Sequence, residues 1–402
     1  MDLPNKKFCV LPWVSLEASP IGTVRPCCLA DGEIEDSTGR KYDLNHDNLK
    51  EIQNSQYMTD LRKEFLAGQT PELCRRCWAE EDSGRTSKRM HTLDRLKTIL
   101  ADEVEWEESA KPLRFVDLKL GNICNIACRI CGSWSSSTYA AEEMKEMPRG
   151  VRRQSFAHTM NQKGAWPRNS RVFWDSLSDN SSDIQYLEFT GGEPFMIKPH
   201  FDYLNRLVDN GDAGNIEIHY NTNGTLFPEE SQVWQHFKHV EVAFSIDDVG
   251  SRFEYQRYGA NWQTVNENIQ KFKQLKEQSQ GRLSLQVCST VNIFNIFYLE
   301  ELAHWIDQQQ FDFVYWNMLH DAPQHCITSL PAQAKQIATD RLQSAQVSSF
   351  HKKEFENIVL FMNSADTHSE IFYQDIEKLD SRRKQSIKES LPELANAISK
   401  KA

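Results

Sequence analysis

No stretch of about 18 apolar residues occurs in the chain, which excludes a transmembrane helix. The opening Met1-Asp2-Leu3-Pro4-Asn5-Lys6-Lys7 lacks the apolar core of a secretory signal, so a cytoplasmic location is expected. There is no surplus of positive charge: 46 Lys and Arg stand against 57 Asp and Glu, a net charge of −11. Such a chain is a poor non-specific binder of nucleic acid, and neither nucleic acid nor a membrane is expected as a partner. No internal repeat appears at a period of about 20 to 50 residues. Disorder is excluded, because 39% of the residues are apolar and 10% aromatic. The 402 residues suffice for two or three domains and at least one sizeable core.

Against these absences stand ten cysteines. In a reducing compartment disulfides rarely persist, so closely spaced cysteines read as metal or cluster ligands. One set is Cys124, Cys128 and Cys131, spaced C-x3-C-x2-C on a single loop. Three thiolates hold three corners of a cubane iron–sulfur cluster, which usually takes four. The iron left open is available to a small molecule, as the open position is at catalytic zinc. On spacing alone, a zinc site completed by a distant His or Cys is the alternative. The second set is Cys9, Cys27, Cys74 and Cys77. Four thiolates close either a tetrahedral zinc site or a fully ligated cluster, and spacing does not separate the two. Cys28 reads as a packed neighbour, Cys288 as a core thiol, and Cys326 as a loop residue following His320 and His325.

Three segments separate by pattern: 1–100, holding five cysteines; 113–320; and 331–402. Acidic residues 102–108 read as a solvated linker. The middle segment alternates strand and helix signals. Apolar residues at period two mark strands at 116–120, 186–189, 216–220, 240–246, 283–291 and 311–315. Between them Phe201, Leu204, Leu207 and Val208 share a helical face that Gly211 ends. Val265, Ile269, Phe272 and Leu275 form another such face, as do Leu299, Leu302 and Ile306. This alternation predicts a parallel α/β unit. Six units are too few to close an eight-fold barrel. Residues 140–182, with Arg149, Arg152, Arg153, Trp166 and Trp174, read as a surface excursion rather than a lid. The last segment reads as helical and polar, without chemistry.

The second strand ends at Thr190-Gly191-Gly192-Glu193-Pro194. Two glycines let the backbone approach a ligand closely, Glu193 pairs with an ammonium group, and Pro194 stiffens the turn. With the C-x3-C-x2-C loop one β-α unit earlier, these residues resemble the radical S-adenosylmethionine (SAM) superfamily over residues 113–320. The resemblance implies a partial (β/α)6 barrel whose Cys124, Cys128 and Cys131 hold a [4Fe–4S] cluster. The open iron would chelate SAM, the Gly191, Gly192, Glu193 and Pro194 turn would hold its amino group, and Asn223, Ser245 and Arg257 would add contacts at or just after strand ends. Reductive cleavage would yield a 5′-deoxyadenosyl radical, with a donor such as flavodoxin or ferredoxin. Ile130 departs from the aromatic residue usual before the third cysteine.

The N-terminal segment resembles the twitch domain, a short form of the SPASM auxiliary-cluster domain. The shared pieces are Cys9, the Gly22-to-Cys27 spacing, a helix with Met58, Leu61 and Arg62, and Cys74 with Cys77. By this resemblance Cys9, Cys27, Cys74 and Cys77 ligate an auxiliary [4Fe–4S] cluster that accepts an electron, or else staples a small domain. The order departs from most relatives, in which this domain follows the barrel. The expected activity is hydrogen abstraction from an unidentified substrate, a small metabolite or a leader-independent peptide, in an oxidoreductase-like reaction. With the twitch cysteines starting at residue 9, no leader-binding module is expected ahead of them. A peptide or protein maturase of the ribosomal-peptide type is the alternative, and a non-catalytic iron–sulfur or zinc protein a second. Asp247, Asp248, Glu254, Tyr255 and Tyr258 lie near the expected SAM site, but none is selected as a proton acceptor and surface positions are the default.

Overall fold

In the computed structural model, all six expected strands form. The structure describes residues 2–82, 84, 86–101, 103, 105–320, 322–365 and 369–399. Asp102 and Val104 of the acidic linker, and residues 366–368 and 400–402 of the helical extension, lie outside the described residues. Among the described residues the strands are β1 (Ser15–Ala18), β2 (Val24–Arg25), β3 (Phe115–Lys119), β4 (Ala127–Cys128), β5 (Tyr186–Thr190), β6 (Glu217–Thr222), β7 (His239–Ser245), β8 (Arg257–Tyr258), β9 (Leu283–Val291) and β10 (Phe313–Met318). The fold is α/β, with eight of these strands in a mostly parallel sheet. The chain divides into two compact units, Met1–Cys124 with Ser133–Tyr220 and Pro228–Val240, and Asn125–Gly132 with Asn221–Phe227 and Glu241–Ala402.

In the first unit the strand order is β6-β5-β3-β1-β2. β3, β5 and β6 come from the expected α/β segment. β1 and β2 come from the cysteine-rich N-terminus, and β1 pairs in parallel with β3. The N-terminal segment therefore extends this sheet. Side chains alternate across the pleat. One face carries Val116, Leu118, Leu187, Phe189, Ile218 and Tyr220, all buried. The helix Lys198–Asn210 supplies His200, Phe201, Tyr203, Leu204 and Leu207 to the core and ends at Gly211, whose φ of 82° suits a residue without a Cβ. The opposite face is polar. Along one register Arg25 stands opposite Glu17, Glu17 opposite Asp117, Asp117 opposite Glu188, and Glu188 opposite His219. Arg25 grips Glu17 with two bonds of 2.7 and 2.8 Å, and Lys119 reaches the same carboxylate at 3.0 Å.

In the second unit the order is β10-β9-β7, with β9 and β10 parallel from Gln286↔Phe313 to Val291↔Met318. The helix Trp262–Gln278 buries Val265, Ile269 and Phe272, and Leu299–Gln309 buries Leu302 and Ile306, on the stripes read from the sequence. The C-terminal segment is helical, as expected: Ala332–Ser344, Ser349–Met362, Ser369–Arg383, Ile387–Ser390 and Pro392–Ser399.

In the acidic linker the side chains of Glu105, Glu107 and Glu108 are exposed, while Trp106 and Glu103 are half-buried. The linker backbone is fastened within the first unit: Trp13 Nε1 donates to Glu107 O at 2.6 Å, and Arg62 Nε to Glu108 O at 2.5 Å. Trp106 packs on Phe8 and Trp13. Arg62 is fully buried and also donates to Pro12 O, Gln53 O and Thr59 Oγ1. Burial pulls its pKa down to about 10. An Arg62→Ala chain leaves those carbonyls unpaired, and we expect it to lose about 2–4 kcal/mol. Calorimetry should show this as a lower melting midpoint; an unchanged midpoint would mean that the linker is held without this side chain.

Candidate functional site

The approach to the C-x3-C-x2-C loop is built from main chain packed on main chain. At the end of β5 the Gly192 N–H donates to Gly121 O at 3.1 Å and the Glu193 N–H to Ile123 O at 2.8 Å. Gly191 adopts φ 118°, and a Cβ there would lie 2.8 Å from Gly121 O; on Gly192 it would lie 2.2 Å from Ile123 O. The two glycines bring the backbone against the protein's own cysteine loop. Glu193 is buried, its Oε1 accepting from the Phe195 N–H at 3.2 Å, and Pro194 opens the turn Pro194–Met196. Next along the loop, the Cys124 carbonyl accepts from Thr138 Oγ1 at 2.6 Å at the start of the helix Ser137–Glu146. The excursion at 140–182 is not superficial. The Asn122 N–H donates to Gly164 O at 3.0 Å, and Trp166 and Trp174 are buried.

Cys128 and Cys131 belong to the second unit. Cys128 stands opposite Arg257 in the antiparallel pair β4–β8, and the Cys131 N–H donates to Cys128 O at 3.1 Å. Arg257 Nη1 lies 3.8 Å from Cys128 Sγ, while its Nη2 donates to Asp247 Oδ2 at 2.7 Å. Burial opposes the guanidinium charge, but Asp247, Cys128 and Cys131 outweigh it and raise the Arg257 pKa. Asp247 Oδ1 accepts from the Thr290 N–H. Asn223 donates to Asn125 Oδ1 at 3.0 Å and accepts from Thr225, joining its loop to the one that carries Cys128. Ser245 is half-buried at the end of β7. Asp247, Asp248 and Tyr255 are buried rather than superficial, and Glu254 accepts from the Trp262 N–H. Cys288 is half-buried on the face of β9 shared with Thr290, not a core thiol; burial, then Asp247, push it up to about 12.

Sequence reasoning missed the fastening of Arg129, between Cys128 and Cys131. This side chain is fully buried, lies 3.6 Å from the Tyr255 ring centroid, and donates to Tyr255 O at 2.8 Å, Asp380 Oδ1 at 2.6 Å and Gln385 Oε1 at 2.9 Å. Tyr255 Oη and the Ile387 N–H also donate to Asp380. The polar C-terminal helices, read as devoid of chemistry, thus hold the cysteine loop.

Cys9, Cys27, Cys74 and Cys77 line one cavity of about 340 Å³, counting its open mouth. Cys28 is not in its lining. Among the described residues no three His, Cys, Asp or Glu side chains converge as a single metal ion requires. Burial is the first cause raising each of the four thiols, and Cys27 is pushed up to about 11. For Cys74 the three other thiols add to the rise. Backbone N–H groups favour the thiolates: Leu11 at Cys9, Leu29 and Ala30 at Cys27, and Arg89 at Cys77.

Residues 118–306 match the family model described as the radical SAM superfamily, and residues 9–78 match that of an iron–sulfur cluster-binding domain. The chain carries a radical SAM domain behind an iron–sulfur cluster-binding domain. No curated protein matches it. Among solved structures it is similar to native anSMEcpe with bound AdoMet and peptide, at 14% identity and a TM-score of 0.37 over 62% of each chain. It is similar also to Streptococcus suis SuiB bound to S-adenosylmethionine, at 12% identity and a TM-score of 0.36 over 87% of this chain and 73% of that one. The match thus spans less than two thirds of the anSMEcpe chain. A radical SAM domain with an iron–sulfur domain implies [4Fe–4S] clusters and SAM as cofactors. The donor chemistry here fits them: soft thiols, buried or half-buried, four around one cavity and three on one loop.

Two substitutions test these supports. Gly192→Ala forces main chain apart, so SAM binding should fall at least tenfold in equilibrium dialysis; wild-type affinity would show that the contact is dispensable. Asp380→Ala leaves the Arg129 guanidinium without its carboxylate, a cost of about 3–5 kcal/mol for a buried pair. Its expected signature is loss of about four irons per chain with the remainder kept, and full iron content would refute the fastening.

Proposed function

We propose that this radical SAM enzyme binds its SAM-cleaving [4Fe–4S] cluster through Cys124, Cys128 and Cys131 and a second, fully ligated [4Fe–4S] cluster through Cys9, Cys27, Cys74 and Cys77. The observation that carries the reading is the pair of bonds from Gly192 and Glu193 to Gly121 and Ile123, directly before Cys124. They set the glycine turn against the residues just before Cys124, which supports the reading that Gly191, Gly192, Glu193 and Pro194 would hold the amino group of SAM. Asn223, Ser245 and Arg257 complete the SAM contacts. Bound and reduced, the first cluster would supply a 5′-deoxyadenosyl radical from SAM for hydrogen abstraction from an unreactive C–H bond, the second would take up the electron left after abstraction, and a flavodoxin or ferredoxin would supply the first electron. The domains of this reading are residues 1–100, 113–320 and 331–402.

The substrate is a small polar metabolite or a leader-independent peptide. What supports a polar one is the charged face of β1, β3 and β5. There the Asp117 Oδ1 and Thr190 Oγ1 atoms are buried without a hydrogen-bond partner, and Thr190 directly precedes Gly191. An orphaned buried polar atom is costly unless something else pairs with it.

Anaerobic reconstitution tests the assignment. Wild type should hold about eight irons per chain and release 5′-deoxyadenosine only with reductant. A chain with Cys124, Cys128 and Cys131 all changed to Ala should hold about four and release none. Four irons plus one zinc in the wild type would make the N-terminal centre structural. No deoxyadenosine at full iron content would favour a non-catalytic iron–sulfur protein.

A further inference from the structure

The wall of the four-cysteine cavity includes two cations, Lys88 and Arg89, at the start of the helix Lys88–Leu96. They differ in what balances them. Arg89 is neutralised: its Nε and Nη2 bond Glu81 at 2.9 and 2.7 Å, and its Nη1 bonds Phe8 O at 2.7 Å. Lys88 is not held in this way. Its Nζ stands 3.8 Å from Glu188 Oε2, beyond hydrogen-bond reach, and 5.9 Å from the centroid of Phe115. Glu188, and after it Cys28 and Asp117, keep this ammonium protonated despite burial. It lines the same cavity as the four cysteines, so its charge lies in their wall. Lys88 therefore lies between two sites. On one side are the four cysteines. On the other is the charged row of β1, β3 and β5, where Asp117 and Glu188 stand opposite each other.

A reduced cluster carries one more negative charge than an oxidised one, and nearby charge and hydrogen bonds to sulfur set its potential. We infer that Lys88 is a tuning residue of the N-terminal centre, a fixed positive charge that raises its reduction potential, partly offset by the Glu188 carboxylate. The inference rests on the four-cysteine ligation proposed above. It gives the centre the property that an electron acceptor requires and a structural staple does not.

The test is EPR-monitored redox titration of the full-length chain with Cys124, Cys128 and Cys131 changed to Ala, which leaves the N-terminal centre alone. Lys88→Met should move the midpoint to a more negative potential, Glu188→Gln to a more positive one, and Lys88→Arg should restore the wild-type value. Opposite signs from two neighbouring substitutions are not produced by general loosening of the domain. Unchanged midpoints in Lys88→Met and Glu188→Gln, with about four irons retained, overturn the tuning role alone. A parent chain that binds no iron overturns the four-cysteine ligation and the tuning role with it.

Discussion

Around Cys124, main chain packs against main chain with no side chains between. The turn at Gly191 and Gly192 lies so close to Gly121 and Ile123 that even a methyl group has no room. This contact fixes where the end of β5 meets the loop leaving β3, and the neighbouring features are built around it. The helix Ser137–Glu146 holds the Cys124 carbonyl, and Gly164 holds Asn122 from the other side. Because the constraint is steric and backbone-borne, it depends on the absence of a Cβ at these glycines and not on the side chains around them.

A second consequence follows from the sheet. The N-terminal cysteine segment contributes β1 to the edge of β3, so its own small core is continuous with a larger one. A domain of this size gains little from its own apolar burial. Here it shares Leu16 and Ala18 with the sheet and fastens itself through Arg62, Trp13 and the backbone of the acidic linker. The same pairing places Glu17 opposite Asp117 and so lengthens the charged row. Attachment of the N-terminal segment and construction of the polar face are one event.

The parts legible in the sequence were those with strong periodicity or rare spacing. Six strands, three helical faces and the stop at Gly211 followed from apolar period, and the grouping of Cys9, Cys27, Cys74 and Cys77 around one cavity from spacing. β1 and β2 were not legible, because Ser15–Ala18 is four residues long and carries a glutamate inside a parallel pair. The buried state of Asp247 and Asp248 was hidden for a related reason: a charged residue reads as exposed until its partner is known, and Arg257 and Arg252 follow only 10 and 4 residues later. Nothing in the local sequence singled out Lys88. Its setting depends on Glu188, Asp117 and Cys28, all distant in sequence, which no local pattern encodes. The fastening of Arg129 was least legible, since its carboxylate lies in a helix with an unremarkable polar pattern.

That last feature has a temporal side. Arg129 and Asp380 are 251 residues apart in the chain. On a ribosome the loop carrying Cys128 and Cys131 emerges long before the helix that fastens it. Until that helix folds, the guanidinium between the two cysteines lacks its carboxylate and the loop is unclosed. A chain cut before that helix thus keeps these thiols in an unfinished setting, and the loop is fastened only once the residue 251 positions further on has been made.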